Sequence, residues 1–175
     1  MEILPLTAAH WPQVRAIYEQ GIATGYATFT TAAPSWEDWD RSHLPYGRLV
    51  AVAAPGAPVL GWAALSSVSS RCVYAGVAEV SLYVAAAARG QGVGRQLLAA
   101  LVADSEQHGI WMLQAGIFPK NAGSLRLHAG AGFRTVGRRE RIGQLQGRWH
   151  DTLLLERRSP VVGAADTPTP PLPAD

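Results

Sequence analysis

The chain of 175 residues is long enough for one globular domain, and its 48% hydrophobic and 16% charged residues exclude a disordered or fibrous protein. The chain has one cysteine, Cys72, which excludes an internal disulfide framework. No secretory signal is recognisable, and no apolar run reaches the roughly 18 residues of a membrane helix. We therefore expect a cytoplasmic protein without a membrane partner. The formal net charge of +2 is compatible with an anionic cofactor or a nucleic acid, and equally with a solvated surface.

The first part of the chain is predicted to form a strand, two helices and a β-hairpin. Residues 1–6 form the strand, and Thr7 can cap the next helix, whose apolar residues recur at helical spacing: Trp11, Val14, Ile17, Tyr18 and Ile22. Ser35, with Asp38 three residues later, indicates a capping box at the start of the second helix. Two apolar runs around a Pro-Gly turn within residues 48–67 indicate the hairpin.

The following part alternates strands and helices before a closing hairpin. Residues 77–84 are predicted to form a strand, residues 92–108 an amphipathic helix and residues 109–118 another strand. A short helix begins near Asn121, and residues 133–158 form the last hairpin. The order β-α-α-β-β-β-α-β-α-β-β predicts an α/β fold of the α+β type, with a mixed, mostly antiparallel central sheet flanked by helices.

The C-terminal segment is predicted to lie outside this domain. Ser159 to Asp175 holds five of the twelve prolines and no aromatic residue, and such a Pro/Ala-rich composition is typical of disorder. We therefore expect one domain over residues 1–158, followed by a disordered tail over residues 159–175.

Three alternating glycines, Gly90, Gly92 and Gly94, separate the strand at residues 77–84 from the next helix. They keep main-chain N–H groups accessible at a helix N-terminus, whose partial positive charge favours a phosphate, and Arg89 and Arg95 add charge. A P-loop is excluded because its Lys-Ser/Thr pair is missing, and a dinucleotide fingerprint lacks its third glycine. A flexible strand-to-helix turn without a ligand is the alternative.

Two blocks of the sequence resemble the GCN5-related N-acetyltransferase (GNAT) family. The pattern Arg89-x-x-Gly92-x-Gly94 is similar to the family's pyrophosphate loop for acetyl-CoA, and "NAGSLRLHAGAGF", from Asn121 to Phe133, is similar to its second block. The segments "IYEQGIATGYATFTT", "VYAGVAEVSLYV" and "GRWHDTLLLERR" resemble the phosphinothricin and amino-acid-analogue acetyltransferase subgroup. The resemblance runs from about residue 2 to residue 158 and implies the GNAT fold.

The resemblance implies acetyl-CoA as the co-substrate and no metal. Main-chain groups at the end of the strand would pair with the pantetheine arm, the glycine loop would hold the pyrophosphate, and the second block would contact the cofactor. The residues so implied are Leu82, Tyr83, Val84, Arg89, Gly90, Gln91, Gly92, Val93, Gly94, Arg95, Asn121 and Ser124. Asn121 could equally be only a helix N-cap.

Acetyl transfer to an amine needs a base and a group that stabilises the leaving thiolate. Strand alternation places Glu79, Ser81 and Tyr83 on one face, and a carboxylate in a mostly apolar strand is costly unless a site or a partner compensates it. The resemblance makes Glu79 the expected base, and it puts His128 where an acid could protonate the thiolate. The alternatives are a Glu79 that faces solvent or pairs with an arginine, and a His128 that only packs under the cofactor.

The subgroup also implies a small-molecule amine as the acceptor. The residues expected around it are Phe29, Thr30, Arg71, Tyr74 and His150, and Arg71 would suit a carboxylate or phosphinate. We therefore expect an N-acetyltransferase that modifies an amino acid or a toxic analogue of the phosphinothricin, methionine sulfoximine or arsinothricin type by direct transfer, with resistance as the outcome. A homodimer is also expected from the subgroup.

Two other functions stay open at this point. A protein N-terminal acetyltransferase of the ribosomal-protein type shares the expected fold and would need a wide acceptor groove. A non-catalytic regulatory module would bind acetyl-CoA without releasing CoA. Nucleic-acid binding through the C-terminal arginines is the weakest option, and we expect no nucleic-acid partner.

Overall fold

The computed structural model describes residues 1–163, and its strands and helices follow the order that the sequence predicts. Within that range, single turns of 3-10 helix are added at Ala8–His10, Cys72–Tyr74 and Ala86–Ala88. None of the helices within residues 1–163 combines the length and the apolar character needed to cross a membrane. The elements are β1 (Glu2–Pro5), α1 (Trp11–Ala23), α2 (Trp36–Ser42), β2 (Arg48–Val52), β3 (Val59–Ser67), β4 (Val77–Val84), α3 (Val93–Gln107), β5 (Met112–Ile117), α4 (Ala122–Gly130), β6 (Arg134–Leu145) and β7 (Arg148–Arg158).

The segment after β7 stays in contact with the domain for a few residues. The Ser159 main-chain N–H donates to the carbonyl oxygen of Trp111 at 2.8 Å. A Cβ added at Gly163 would lie 2.9 Å from the Trp111 side chain, so this segment packs beside the start of β5. Residues 164–175, the greater part of the tail that the sequence predicts to be disordered, lie outside the described residues.

The strands within residues 1–163 form one seven-stranded sheet in the order β1-β2-β3-β4-β5-β7-β6. Neighbouring strands are antiparallel except for β4 and β5, which confirms the mixed, mostly antiparallel sheet. A parallel pair needs a crossover connection, and α3 supplies it. These two strands are aligned only at Val77–Met112, Ala78–Leu113 and Glu79–Gln114, and they diverge beyond that point. The divergence opens a cleft at the centre of the sheet.

Helices cover both faces of the sheet, and each face has its own apolar core. On one face α3 buries Leu97, Leu98 and Leu101 completely against the strands. The other face carries an aromatic cluster that includes Trp39 of α2 and Trp62 of β3. Burial of one leucine side chain contributes roughly 1.5–3 kcal/mol to the stability of the fold. Because side chains of β4 pack against both cores, the two cores together fix the position of this strand.

The helix starts follow the local signals in the sequence. The Ser35 hydroxyl accepts from the Asp38 N–H at 3.1 Å, and Asn121 Oδ1 accepts from the Ser124 N–H at 3.2 Å, so both predicted N-caps are confirmed. Thr7 differs, because it precedes a 3-10 turn and α1 begins only after that turn.

Candidate active site

The divergence of β4 from β5 opens a cleft of about 860 Å³. Its walls come from β4, the loop before α3, the first turn of α3, the end of β5, α4 and the segment after α1. The predicted site residues that line it are Phe29, Glu79, Leu82, Tyr83, Val84, Arg89, Gly90, Gly92, Val93, Gly94, Arg95, Asn121, Ser124 and His128. Among the described residues, five predicted ones do not line it: Thr30, Arg71, Tyr74, Gln91 and His150.

Hydrogen bonds on both edges of β4 show which of its main-chain groups point into the cleft. The Ala85 N–H donates to the carbonyl oxygen of Leu60 at 2.9 Å, so Ala85 faces β3. On the other edge the Gly76 carbonyl accepts from the Met112 N–H at 3.1 Å, so Gly76 faces β5. Because main-chain groups alternate between the two edges of a strand, the odd-numbered residues of β4 face β3 and the even-numbered residues face β5.

Leu82 and Val84 therefore direct their N–H and C=O groups into the cleft, beyond the point where β5 has diverged. The main chain of Tyr83 faces Trp62 on β3 instead, and its ring packs against Trp62 and Tyr18 at centroid distances of 4.8 Å each. Burial raises the pKa of the Tyr83 phenol, and the neighbouring Tyr18 raises it further. Of these three residues, two offer main-chain groups to the cleft, and Tyr83 forms part of its wall.

The glycines of the cluster are required for different reasons. Gly90 and Gly92 have φ values of +77° and +81°. Apart from the adjacent residues of the chain, no atom of residues 1–163 lies within 4 Å of a Cβ added at either position. Other residues rarely adopt this left-handed backbone conformation, so the fold itself favours glycine at both. At Gly94 an added Cβ would lie 3.1 Å from Leu127 Cδ2, so glycine lets α3 pack closely against α4.

The N-terminus of α3 opens onto the cleft directly after Gly92. The first N–H groups of a helix have no partner within it and carry a partial positive charge. Arg89 and Arg95 line the same end of the cleft. Gln91 is directed elsewhere, because its Nε2 donates to the carbonyl oxygen of Ala87 at 2.9 Å. This end is suited to an anion such as a pyrophosphate.

His128 of α4 also lines the cleft and is only 3% exposed. Its Nδ1 lies 2.9 Å from the carbonyl oxygen of Ser124, and because a carbonyl oxygen can only accept, Nδ1 carries the hydrogen. Nε2 is then an acceptor, buried and without a hydrogen-bond partner among residues 1–163. Burial lowers the pKa of His128. The neutral imidazole is therefore favoured, and action as an acid would first require a second proton.

Glu79 stands at the last aligned position of β4 and β5, where the cleft begins. Its carboxylate is half-buried, and Oε2 accepts from Gln114 Nε2 at 3.1 Å. Oε1 lies 3.8 Å from the position of a Cβ added at Gly116, which also lines the cleft. Within residues 1–163 no ion pair engages Glu79, so the alternative of an arginine partner is not found there.

Phe29 and Phe118 form an aromatic wall on the same side of the sheet as α1. Their ring centroids are 4.7 Å apart, and both residues line the cleft. His150 lies 5.6 Å from Phe118 but lines a neighbouring cavity of about 430 Å³. Thr30 follows Phe29, and its N–H donates to Thr28 Oγ1 at 3.0 Å.

Arg71 and Tyr74 lie on the surface between β3 and β4. The guanidinium carbon of Arg71 lies 5.7 Å from the centroid of the Tyr74 ring, so the two side chains pack on each other. The structure does not bring this pair into the cleft with Glu79. Within the described residues, the cations that line the cleft are Arg89, Arg95, Lys120 and Arg126.

Three residues of the site were not expected from the sequence: Phe118 and Lys120, which line the cleft, and Gln114, which donates a hydrogen bond to Glu79. Gln114 depends on the register between β4 and β5, which no local pattern shows. Phe118 and Lys120 stand just before Asn121, where the chain passes from a predicted strand to a predicted helix, and that position was a usable signal. Within residues 1–163 no group of three or more His, Cys, Asp or Glu side chains could hold a metal ion.

The chain is similar in sequence and in structure to known acetyltransferases. The profile of the acetyltransferase (GNAT) family matches residues 11–133. The chain is 36% identical to the phosphinothricin N-acetyltransferase of Alcaligenes faecalis over 91% of its own length and 81% of that protein. It is 32% identical to an L-methionine sulfoximine/L-methionine sulfone acetyltransferase of Pseudomonas aeruginosa, over 85% and 88% of the two chains. A phosphinothricin acetyltransferase from Sinorhizobium meliloti, solved in complex with acetyl-CoA, superposes with a TM-score of 0.83 at 29% identity, over 97% and 93% of the chains.

Proposed function

The chain belongs to the acetyltransferase (GNAT) family, and we propose that it transfers the acetyl group of acetyl-CoA directly to the amino group of a small amino acid or amino-acid analogue. One observation carries the proposal. The continuous segment from Glu79 to Arg95 supplies three things to a single cleft: a carboxylate, main-chain groups of β4 that have no strand partner among residues 1–163, and a helix N-terminus. Direct transfer is supported by the position of the only cysteine, Cys72, which is exposed in the loop before β4.

The shape of the cleft supports acetyl-CoA as the donor. The N–H and C=O groups of Leu82 and Val84 suit the amide groups of a pantetheine arm, because both present alternating donors and acceptors along an extended chain. The first turn of α3, behind Gly92, suits the pyrophosphate, and Arg89 and Arg95 add positive charge there. Acetyl-CoA would supply an acetyl group activated as a thioester.

Glu79 would take the proton from the ammonium form of the acceptor, since only the neutral amine has the lone pair needed for attack. The hydrogen bond from Gln114 orients the carboxylate and leaves Oε1 for the amine or a bridging water. An N–H of Leu82 or Val84 would donate to the thioester oxygen as negative charge builds on it. His128 would protonate the thiolate only after Nε2 takes up a proton, which its burial opposes.

A small acceptor is supported by the names of the relatives and by the aromatic wall. Phe29 and Phe118 add an apolar aromatic surface to the cleft that holds Glu79, and Lys120, which also lines the cleft, is a cation for an acidic group. Thr30 and His150 border this region from outside the cleft lining. Arg71 and Tyr74 would reach the acceptor only after their loop moves. Acetylation of a toxic analogue would give resistance to it.

We also propose a homodimer that works in the cytoplasm. β6 is one of the two edge strands of the sheet. Three apolar side chains of the β6–β7 hairpin are exposed: Val136 by 46%, Ile142 by 53% and Trp149 by 61%. Exposed apolar side chains on an edge hairpin suit contact with a second copy of the chain. The free thiol of Cys72 suits a reducing compartment.

An acetylation screen tests the proposed function. The purified chain is incubated with acetyl-CoA and phosphinothricin, methionine sulfoximine, arsinothricin, free amino acids or a peptide with an N-terminal alanine, and CoA thiol release and product mass are recorded. We expect one or more small amines to gain an acetyl group. Acetylation of the peptide alone would favour a protein N-terminal acetyltransferase. Tight binding of acetyl-CoA without CoA release on any acceptor would favour a regulatory module.

A further inference from the structure

The hairpin of β6 and β7 contains an irregular bulge of three residues opposite a single residue. Arg139 is aligned with Thr152, and the next aligned pair is Gly143 with His150. Residues 140–142 of β6 therefore face only Asp151 of β7. Such bulges locally bend a strand and redirect the residues that follow.

Asp151 is the residue that holds this bulge. Its Oδ1 accepts from the Arg141 main-chain N–H at 2.8 Å, and its Oδ2 accepts from Arg138 Nε at 2.7 Å. Arg141 has a φ of +49°, a left-handed conformation that costs energy in residues other than glycine. The hydrogen bonds from Arg141 and Arg138 also hold the pKa of Asp151 below its usual value, so it stays ionised. Asp151 thus compensates a strained backbone conformation.

The residue that follows the bulge is packed directly on the wall of the cleft. A Cβ added at Gly143 would lie 2.7 Å from two ring carbons of Phe29, so Gly143 packs directly against that ring. Phe29 in turn packs on Phe118. The position of the bulge therefore limits where the Phe29 ring can lie.

We propose that Asp151 is a positioning residue for the acceptor: it fixes the bulge at residues 140–142, the bulge sets Gly143 against Phe29, and Phe29 shapes the acceptor side of the cleft. The assignment of that side to the acceptor rests on the proposed function. The mechanical link from Asp151 to Phe29 does not.

Kinetics test the consequence for the acceptor. Asp151→Ala removes the hydrogen bonds from Arg138 and from the Arg141 N–H, and Gly143→Ala displaces the Phe29 ring without touching Asp151. A displacement near 1 Å lowers rates by up to about 100-fold. We therefore expect both variants to lower kcat/KM for the acceptor about 10-fold or more, with a rise in its KM, while the KM of acetyl-CoA is retained. Asp151→Asn keeps an oxygen for the Arg141 N–H and should recover part of the loss. An equal rise in both KM values would overturn the proposal, because it indicates general destabilisation.

Gly137→Ala is the matched control on the same strand. Apart from the adjacent residues of the chain, no atom of residues 1–163 lies within 4 Å of a Cβ added there, so this variant should keep the KM values of the wild type. If Gly137→Ala changed the KM of the acceptor as much as Gly143→Ala does, the effect of Gly143→Ala could not be assigned to its contact with Phe29.

Fluorine NMR tests the mechanical link without any acceptor. The chain has three phenylalanines, so labelling with fluorophenylalanine gives three signals, and Phe29→Leu assigns one of them. We expect the Phe29 signal to shift in Asp151→Ala and Gly143→Ala, and the Phe133 signal to stay in place. An unshifted Phe29 signal in Asp151→Ala overturns the proposal. If no amine is acetylated by the wild type, the proposed function fails, and the same spectra still decide whether Asp151 positions Phe29.

Discussion

Replacement of Glu79 by glutamine is the sharpest test of the proposed chemistry. The substitution keeps the size of the side chain and removes its ability to take a proton. Gln114 Nε2 donates to Glu79 Oε2 at 3.1 Å, and the amide oxygen of a glutamine can accept the same hydrogen bond. The half-buried position at the start of the cleft should therefore keep its geometry in Glu79→Gln.

The structure predicts very different effects on stability and on rate. One hydrogen bond contributes a net 0.5–1.5 kcal/mol or so to stability, and it is retained here, so the free energy of unfolding should change by less than about 1 kcal/mol. General-base catalysis typically contributes about 100-fold to 10,000-fold in rate, or roughly 2.7–5.4 kcal/mol of transition-state stabilisation. We expect kcat/KM for the acceptor to fall within that range. Affinity for acetyl-CoA should be retained, because Leu82, Val84 and the start of α3 are unchanged.

The assay measures CoA release from about pH 6 to 9, with acetyl-CoA affinity and Tm on the same samples. Glu156→Gln is a suitable control, since Glu156 is a mostly buried strand carboxylate on β7 that pairs with Arg134. It should lower stability modestly and keep most of the activity. Wild-type kcat/KM in Glu79→Gln across the whole pH range would refute the role of Glu79 as the base. A loss of acetyl-CoA affinity as large as the loss of rate would instead indicate a damaged cleft.

Three further substitutions or conditions test other parts of the structure. Gly92→Ala places alanine at a φ of +81°, which should cost about 1–2 kcal/mol of stability and weaken acetyl-CoA binding. Gly147→Ala, at a φ of +77° in the β6–β7 turn, should have a similar cost in stability and leave the affinity for acetyl-CoA unchanged. Thermal melts measure the stability of both variants, and titrations measure the affinity. Gly61→Ala would bring a Cβ within 2.8 Å of the Tyr83 carbonyl oxygen, so the free energy of unfolding in urea should fall by about 1–3 kcal/mol, and an unchanged value would contradict the packing described. Burial lowers the pKa of His128 below its ordinary value of 6.5, so the unfolded chain binds a proton at this imidazole more readily than the folded chain does. The folded state is therefore most stable above about pH 6.5, where His128 is neutral in both states, and this stability is lost as the pH falls through the lower pKa of the folded state. The Tm should therefore fall on acidification, less steeply in His128→Gln, and equal slopes would contradict this account.

Features that depend on neighbouring residues were predictable from the sequence. The order of strands and helices, the N-caps at Ser35 and Asn121, and the two faces of β4 all follow from spacing within a few residues. The glycine cluster was also predictable, because a phosphate at a helix N-terminus and a left-handed backbone both favour glycine. Phe29 and His128 came from the family resemblance rather than from any pattern, and both line the cleft.

Features that depend on strand register or on the orientation of a side chain were not predictable. The hydrogen bond between Gln114 and Glu79 joins positions 35 residues apart and requires the register of a parallel pair. The hydrogen on Nδ1 of His128 follows from its contact with Ser124, and the sequence shows only that the two residues share a helix face.

The position of the cleft follows from the one parallel pair of the sheet. A parallel connection brings the chain back through a helix, so α3 begins at the same end of the sheet where β4 ends. Since β4 and β5 are aligned only as far as Glu79 and Gln114, the remaining edge of β4 has main-chain groups without a strand partner within residues 1–163. Unpaired strand groups are costly unless a ligand or water satisfies them. The divergence therefore provides a row of hydrogen-bonding groups that runs from the carboxylate of Glu79 to the helix N-terminus at Gly92, and this row is the strongest structural reason to expect an extended, polar and partly anionic ligand in this cleft.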